Sequence, residues 1–191
     1  MKKVSSGFTE SEVKELLAYA RSVIEHHLTD RDIQRAPDFD QCLKKDGACF
    51  VTLTRKDGGL RGCIGNILPF EPLGKNIARN AINAAFNDPR FPAVINDLEL
   101  AELDLELSIL SPIKKVSSYK EIEIGKHGII LRVGNASAVF LPQVAPENGW
   151  DLATTLTYLA QKAGLPGDAW QAGDAEFDIF TANVYSEKDN D

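Results

Sequence analysis

The 191 residues are 43 % hydrophobic and 26 % charged, the proportions of one globular domain with a real core and too few residues for a second full domain. A formal net charge of −7 repels a phosphate backbone on average, and no Lys/Arg cluster longer than a pair offsets it, so nucleic acid is a poor first guess as a partner. Apolar runs stay far short of the ~20 residues that cross a bilayer, and Met1–Ser6 leads into no apolar signal core, so the expectation is a cytoplasmic protein without membrane contact.

The first predicted element is a helix. Thr9-Glu10-Ser11-Glu12 reads as a capping box, Phe8 and Val13 sit at the positions of a hydrophobic staple, and Val13, Leu16, Leu17, Ala20, Ile24 and Leu28 form one apolar stripe. A polar connection ends in Lys44-Lys45-Asp46-Gly47, and Cys49–Thr54 is apolar and β-branched enough for a strand. Asp57-Gly58-Gly59 supplies the turn of a hairpin whose second arm is Leu60–Gly65. From Glu71 to Phe86 apolar residues recur at helical spacing until Asp88-Pro89-Arg90-Phe91-Pro92 ends the run.

Beyond Leu98 the period changes. Leu103, Leu105, Leu107 and Ile109 alternate with Asp104, Glu106 and Ser108, the pattern of a half-buried strand that Ser111-Pro112 stops. Gly128–Val133 and Ser137–Pro142 form a second hairpin around Gly134-Asn135, a last helix runs from an Asp151 cap to Ala163, and Phe177–Tyr185 is a closing strand. Hairpins interspersed with about three long helices predict an α+β fold with a mostly antiparallel sheet. The expected organisation is a single domain over 1–191, ordered over about 8–185, with a frayed tail at 186–191.

Three cysteines, Cys42, Cys49 and Cys63, are an odd number without a CxxC pair and argue for a reducing compartment. His26, His27 and His127 lie at no metal-ligand spacing, and no cofactor or hydrolase motif is present, so neither metal nor cofactor is expected.

The candidate site is Leu60-Arg61-Gly62-Cys63-Ile64-Gly65. Strand alternation places Leu60 and Ile64 toward the core and Arg61, Cys63 and Gly65 on the other face, setting a guanidinium beside a thiol. A neighbouring cation favours the nucleophilic thiolate, and Gly62 and Gly65 let backbone come close to a ligand or another strand. Each residue also has a plainer reading. Cys63 is a catalytic candidate or a buried small apolar side chain; Arg61 binds an anion in bidentate fashion or pairs with an acidic residue. Arg90 points from a rigid turn toward the same cleft or caps the preceding helix; His127 is an acid–base group or a loop histidine. Trp150 stacks on a ligand or anchors the last helix.

Phe50-Val51-Thr52-Leu53, the hexapeptide, Asp88-Pro89-Arg90-Phe91, and Pro142-Gln143-Val144 with Gly149-Trp150-Asp151 together resemble the AMMECR family, most closely its bacterial and archaeal branch, AmmeMemoRadiSam system protein A. The resemblance covers nearly the whole chain. It implies an α+β fold with a major and a minor part, a functional site at Leu60–Gly65, and, by genetic association, a Memo-like protein and a radical SAM protein as partners. Two readings of function follow, ahead of a third, a nucleic-acid-binding protein whose basic residues cluster only in three dimensions. The first is a small-molecule or thiol-dependent pocket in which Arg61, Gly62, Gly65 and Arg90 hold an anionic small molecule against Cys63. The second is a non-catalytic module that docks onto those partner proteins.

Overall fold

A computed structural model describes residues 8–29 and 41–190. The readings made for Met1–Ser6, for the connection over 30–40 and for Asp191 lie outside the described residues. The chain divides into two compact units, one formed by 1–110 with 183–191 and the other by 111–182. Among the described residues no helix is long and apolar enough to cross a membrane.

In the first unit, helix α1 (Glu10–Thr29) starts at the predicted box, where the Thr9 N–H donates to the Glu12 carboxylate (2.6 Å) and the Glu12 N–H to the Thr9 hydroxyl (3.3 Å). Strands β1 (Cys49–Arg55) and β2 (Leu60–Gly65) form the predicted hairpin, with Gly58 at φ +88° in its turn. Helix α2 (Leu73–Phe86) packs on both strands and on α1. A five-residue helix, α3 (Asp97–Ala101), precedes strand β3 (Leu103–Leu110). β1 pairs antiparallel with β2 and with β3. The order β2-β1-β3-β8, in which β8 is Ala182–Ser186, leaves β2 at a sheet edge. Val51, Leu53, Leu105 and Leu107 are buried with Leu16, Ile24, Ile77 and Ala81 in one core.

The second unit holds strands β4 (Lys114–Val116), β5 (Gly128–Val133), β6 (Ala136–Phe140) and β7 (Glu176–Phe180) in the order β4-β7-β5-β6. It also contains the short helix α4 (Val144–Glu147) and helix α5 (Leu152–Lys162), whose Asp151 cap accepts from the Thr154 N–H. Leu131, Leu156, Leu159 and Phe177 centre its core.

The α+β class stands, but two expectations are corrected. Phe177–Tyr185 is two strands in different sheets, β7 and β8, with Thr181 between them; an apolar run shows a buried extended segment without showing where it changes partner sheet. The tail is not frayed at its start. Residues 187–190 form a 3₁₀ turn, and the Glu187 carboxylate takes both the Arg21 guanidinium and the Leu105 N–H (2.8 Å). An acidic residue in a charged tail carries no sign of such a partner.

Candidate functional site

The pairing of β1 with β2 runs Val51↔Ile64, Thr52↔Cys63 and Leu53↔Gly62, then jumps to Thr54↔Leu60. Arg61 is the extra residue of a β-bulge, and a bulge inverts the alternation beyond it. The expected placement is therefore corrected: Leu60 is 37 % exposed and Arg61 only 3 %, while Ile64 packs against the core as expected. Arg61 directs its guanidinium to the Pro92 carbonyl (2.7 Å) and to Glu99 (Nε 2.8 Å, Nη2 2.7 Å). The Glu99 carboxylate also accepts the Ile95 N–H (3.0 Å), so this ion pair ties the loop before α3 to β2. The cation bonded to Cys63 is Arg90 and not Arg61.

Both motif glycines have packing reasons. A Cβ on Gly62 would lie 2.1 Å from the Ala84 carbonyl oxygen of α2. One on Gly65 would lie 2.3 Å from the Phe50 ring and 2.6 Å from the Cys49 carbonyl oxygen. Their missing side chains admit a helix backbone and an aromatic ring.

Cys63 is clamped through its own backbone. Its N–H donates to Asp88 Oδ2 (2.9 Å) and its carbonyl accepts from Arg90 Nη2 (3.0 Å). Arg90 in turn grips Asp88 through Nε (2.9 Å) and Nη2 (2.7 Å). The Arg90 side-chain hydrogen bonds, helped by the N–H groups of Cys63 and Arg90, hold the buried Asp88 carboxyl well below the usual carboxylate range against the opposing effect of burial. An edge strand normally offers free N–H and C=O groups; here the Asp88-Pro89-Arg90 turn occupies both groups of Cys63. The thiol is half-buried and accepts a hydrogen bond from the Thr52 hydroxyl (3.4 Å). Glu106 sits across from Thr52 on β3, so Cys63, Thr52 and Glu106 occupy one rung of the sheet.

A second polar cluster behind Gly65 escaped sequence reading. Asn76 and Asn80, fully buried on α2, bond the backbone of Cys49: Asn76 Oδ1 accepts its N–H and Asn80 Nδ2 donates to its carbonyl, each at 3.0 Å. Asn66 Oδ1 accepts from Asn76 (2.7 Å), Arg79 (3.0 Å) and Asn80 (3.0 Å), and Glu71 accepts from Arg79 (2.6 Å). Two asparagines four residues apart inside an otherwise apolar stripe were the available signal. Burial pushes the Cys49 thiol up to about 12. Near pH 8 native alkylation with iodoacetamide should therefore mark Cys63 well before Cys49, because Cys49 has almost no thiolate at that pH. Peptide mass spectrometry over a time course checks the order.

The remaining candidates lie in the second unit. The His127 ring accepts the Glu123 N–H (3.0 Å), and burial, the largest cause, lowers its pKa. Trp150 stacks on Tyr158 of α5 with ring centroids 4.4 Å apart. Among the described residues no group of His, Cys, Asp and Glu side chains could hold a metal ion.

The AMMECR1 family profile matches residues 17–185. Protein MK0488 of Methanopyrus kandleri is 42 % identical over 182 residues, covering 91 % of this chain and 87 % of that protein. Protein NEQ441 of Nanoarchaeum equitans is 35 % identical over 178 residues, covering 90 % and 98 %. The crystal structure of the uncharacterized protein PH0010 from Pyrococcus horikoshii superposes with a TM-score of 0.77 at 34 % identity, covering 93 % of this chain and 92 % of that one.

Proposed function

We propose that this chain, which belongs to the AMMECR1 family, acts as a non-catalytic docking module whose contact surface is built around the β2 edge. One observation carries the reading. Leu60, Leu68, Phe70, Ile95 and Leu98 are between 37 % (Leu60) and 80 % (Leu98) exposed, and all five lie on β2 or on segments joined to it. Leu60 precedes Arg61; Ile95 and Leu98 belong to the segment that the Arg61–Glu99 pair fastens to β2. Leu68 and Phe70 belong to the loop that leaves β2, where Arg79 lies over the Phe70 ring at 4.8 Å. Exposed large apolar side chains on a braced scaffold suit a protein partner better than water. The internal bonds of Arg61 and the packing of Gly62 and Gly65 support a scaffold role for the hexapeptide.

The partners in this reading are the Memo-like and radical SAM proteins. Co-expression followed by size-exclusion chromatography under reducing, anaerobic conditions should give a persistent complex. Phe70→Glu and Leu98→Glu should each weaken it by roughly thirtyfold, about 2 kcal/mol, the loss expected for a buried interface anchor. The melting temperature should stay unchanged, because both side chains are exposed. Separate elution of all three proteins would overturn the reading.

A thiol-dependent pocket is kept as the second reading on one observation: Cys63 is half-buried beside Thr52, with Arg90 bonded to its carbonyl and more than half exposed. In that reading the Arg90 guanidinium steadies an anionic small molecule and Cys63 contacts it. Cys63→Ser would then leave the fold and the protein complex intact while abolishing function in cells.

A further inference from the structure

The edge strands of the two sheets are guarded unequally. β2 is clamped at Cys63 by Asp88 and Arg90, and β4 carries Lys114 and Lys115, charges of the kind that keep an edge from taking another strand. β6 ends the order β4-β7-β5-β6, and its sequence Ala136-Ser137-Ala138-Val139-Phe140 holds neither a charge nor a proline.

The turn before β6 decides which of its backbone groups face outward. Gly134, at φ +56°, and Asn135 form a two-residue loop between the paired residues Val133 and Ala136. The pair that closes such a loop is hydrogen-bonded, and bonded and non-bonded pairs alternate along an antiparallel ladder. Ala136, Ala138 and Phe140 therefore bond β5, while Ser137 and Val139 turn their N–H and C=O groups away from it. An independent contact agrees: the Val139 carbonyl accepts from Nζ of Lys162 (2.9 Å), a residue of α5 and not of the sheet. Among the described residues no bond reaches the other three outward groups. Lys162 thus holds the place of a strand donor at one carbonyl. Its ammonium lies 4.9 Å from the centre of the Phe140 ring and has no carboxylate partner among the described residues.

We propose that β6 takes an added antiparallel strand, an extended segment of a partner protein bearing a carboxylate that draws Lys162 away from the Val139 carbonyl. Peptide N–H and C=O groups complement the outward row of Ser137 and Val139, and a carboxylate complements the cation that stands at the edge. A second copy of this chain fits less well. α5 packs on β6, and an antiparallel copy would bring its own α5 to the same face of the joined strands. The site lies wholly within the second unit and does not depend on the surface around β2.

The probe is the peptide acetyl-Glu-Val-Thr-Val-Thr-amide, titrated into the isotope-labelled full chain and followed through the backbone amide signals. Saturable shifts should centre on the amides of Ser137 and Val139. Of two analogues, one N-methylated at its valines and one at its threonines, one should bind roughly tenfold more weakly and the other like the parent, because alternate N–H groups of an added strand point to opposite sides. Ser137→Pro removes an outward N–H and no ladder bond, so it should weaken the parent peptide roughly tenfold with an unchanged circular dichroism spectrum. The preference for the peptide over its glutamine counterpart, roughly threefold in the wild type, should vanish in Lys162→Gln. Equal binding of the two N-methylated analogues, shifts away from β6, no saturable shift at millimolar peptide, or self-association of the chain through Ser137 and Val139 would overturn the proposal.

Discussion

Gly62→Ala should destabilise the protein by about 3 kcal/mol, lowering its melting temperature by roughly 6–12 °C at this chain length. The added methyl would sit 2.1 Å from the Ala84 carbonyl oxygen and 3.1 Å from its carbonyl carbon. Both are backbone atoms of α2, so no side chain can rotate away. Nor can the helix withdraw cheaply, because Ile77, Ala81, Ala84 and Ala85 on the same helix are buried in the core. Gly65→Ala should cost less, since the Phe50 ring at 2.3 Å can turn and only the Cys49 carbonyl at 2.6 Å is backbone. Gly173→Ala serves as the control: nothing lies within 4 Å of a Cβ there, and the change should stay within about 0.5 kcal/mol. Urea unfolding midpoints of the three variants rank the effects. A Gly62→Ala midpoint equal to that of the control would show that β2 and α2 separate freely, removing the structural account of this glycine.

The contrast between the two motif glycines and Arg61 shows what a linear pattern carries. The hairpin was legible because Asp57-Gly58-Gly59 has few alternatives between two β-rich runs, and Gly58 does take positive φ. α1, α2 and α5 were legible because their buried faces repeat at helical spacing and two of them begin at recognisable caps. The burial of Arg61 was not, because counting faces along a strand assumes an unbroken register, and the shift between Leu53 and Thr54 reverses every inference beyond it. Arg90 is a candidate site residue in the sequence, but Asp88, which joins it to Cys63, shows there only as part of a helix stop and of a block shared with the family. Its carboxylate acts on a strand 25 residues earlier in the chain, a distance over which no local rule operates. α3 was too short to show a period, and the partners of Asn76 and Asn80 come from a strand and a loop that only the tertiary fold brings to them.

Asp88→Asn should cost about 2–3 kcal/mol near pH 7, the range for breaking a charge-assisted, buried hydrogen-bond cluster. Every contact of this side chain is one in which it accepts. Oδ1 takes the Arg90 N–H (3.1 Å) and Nε (2.9 Å), and Oδ2 takes the Cys63 N–H (2.9 Å) and Arg90 Nη2 (2.7 Å). An amide replaces one of those oxygens with an NH₂ group, so in either orientation two donors face two donors. The cost stays below that of a wholly buried ion pair because Arg90 is 54 % exposed and its charge can be rehydrated. The pH dependence separates this cause from a general packing fault. The folded-state pKa of Asp88 is depressed, chiefly by Arg90, so its contribution is fully present above the unfolded carboxyl value of about 4 and is lost as pH falls through the folded value. Unfolding free energies of wild type and variant should therefore differ most at neutral pH and converge below about pH 4. Amide exchange adds a local reading: in Asp88→Asn the Cys63 N–H should exchange faster at neutral pH, because its acceptor is gone from an exposed sheet edge. A stability difference that stays constant down to pH 2.5, with Cys63 exchange unchanged, would mean that the carboxylate does not clamp β2.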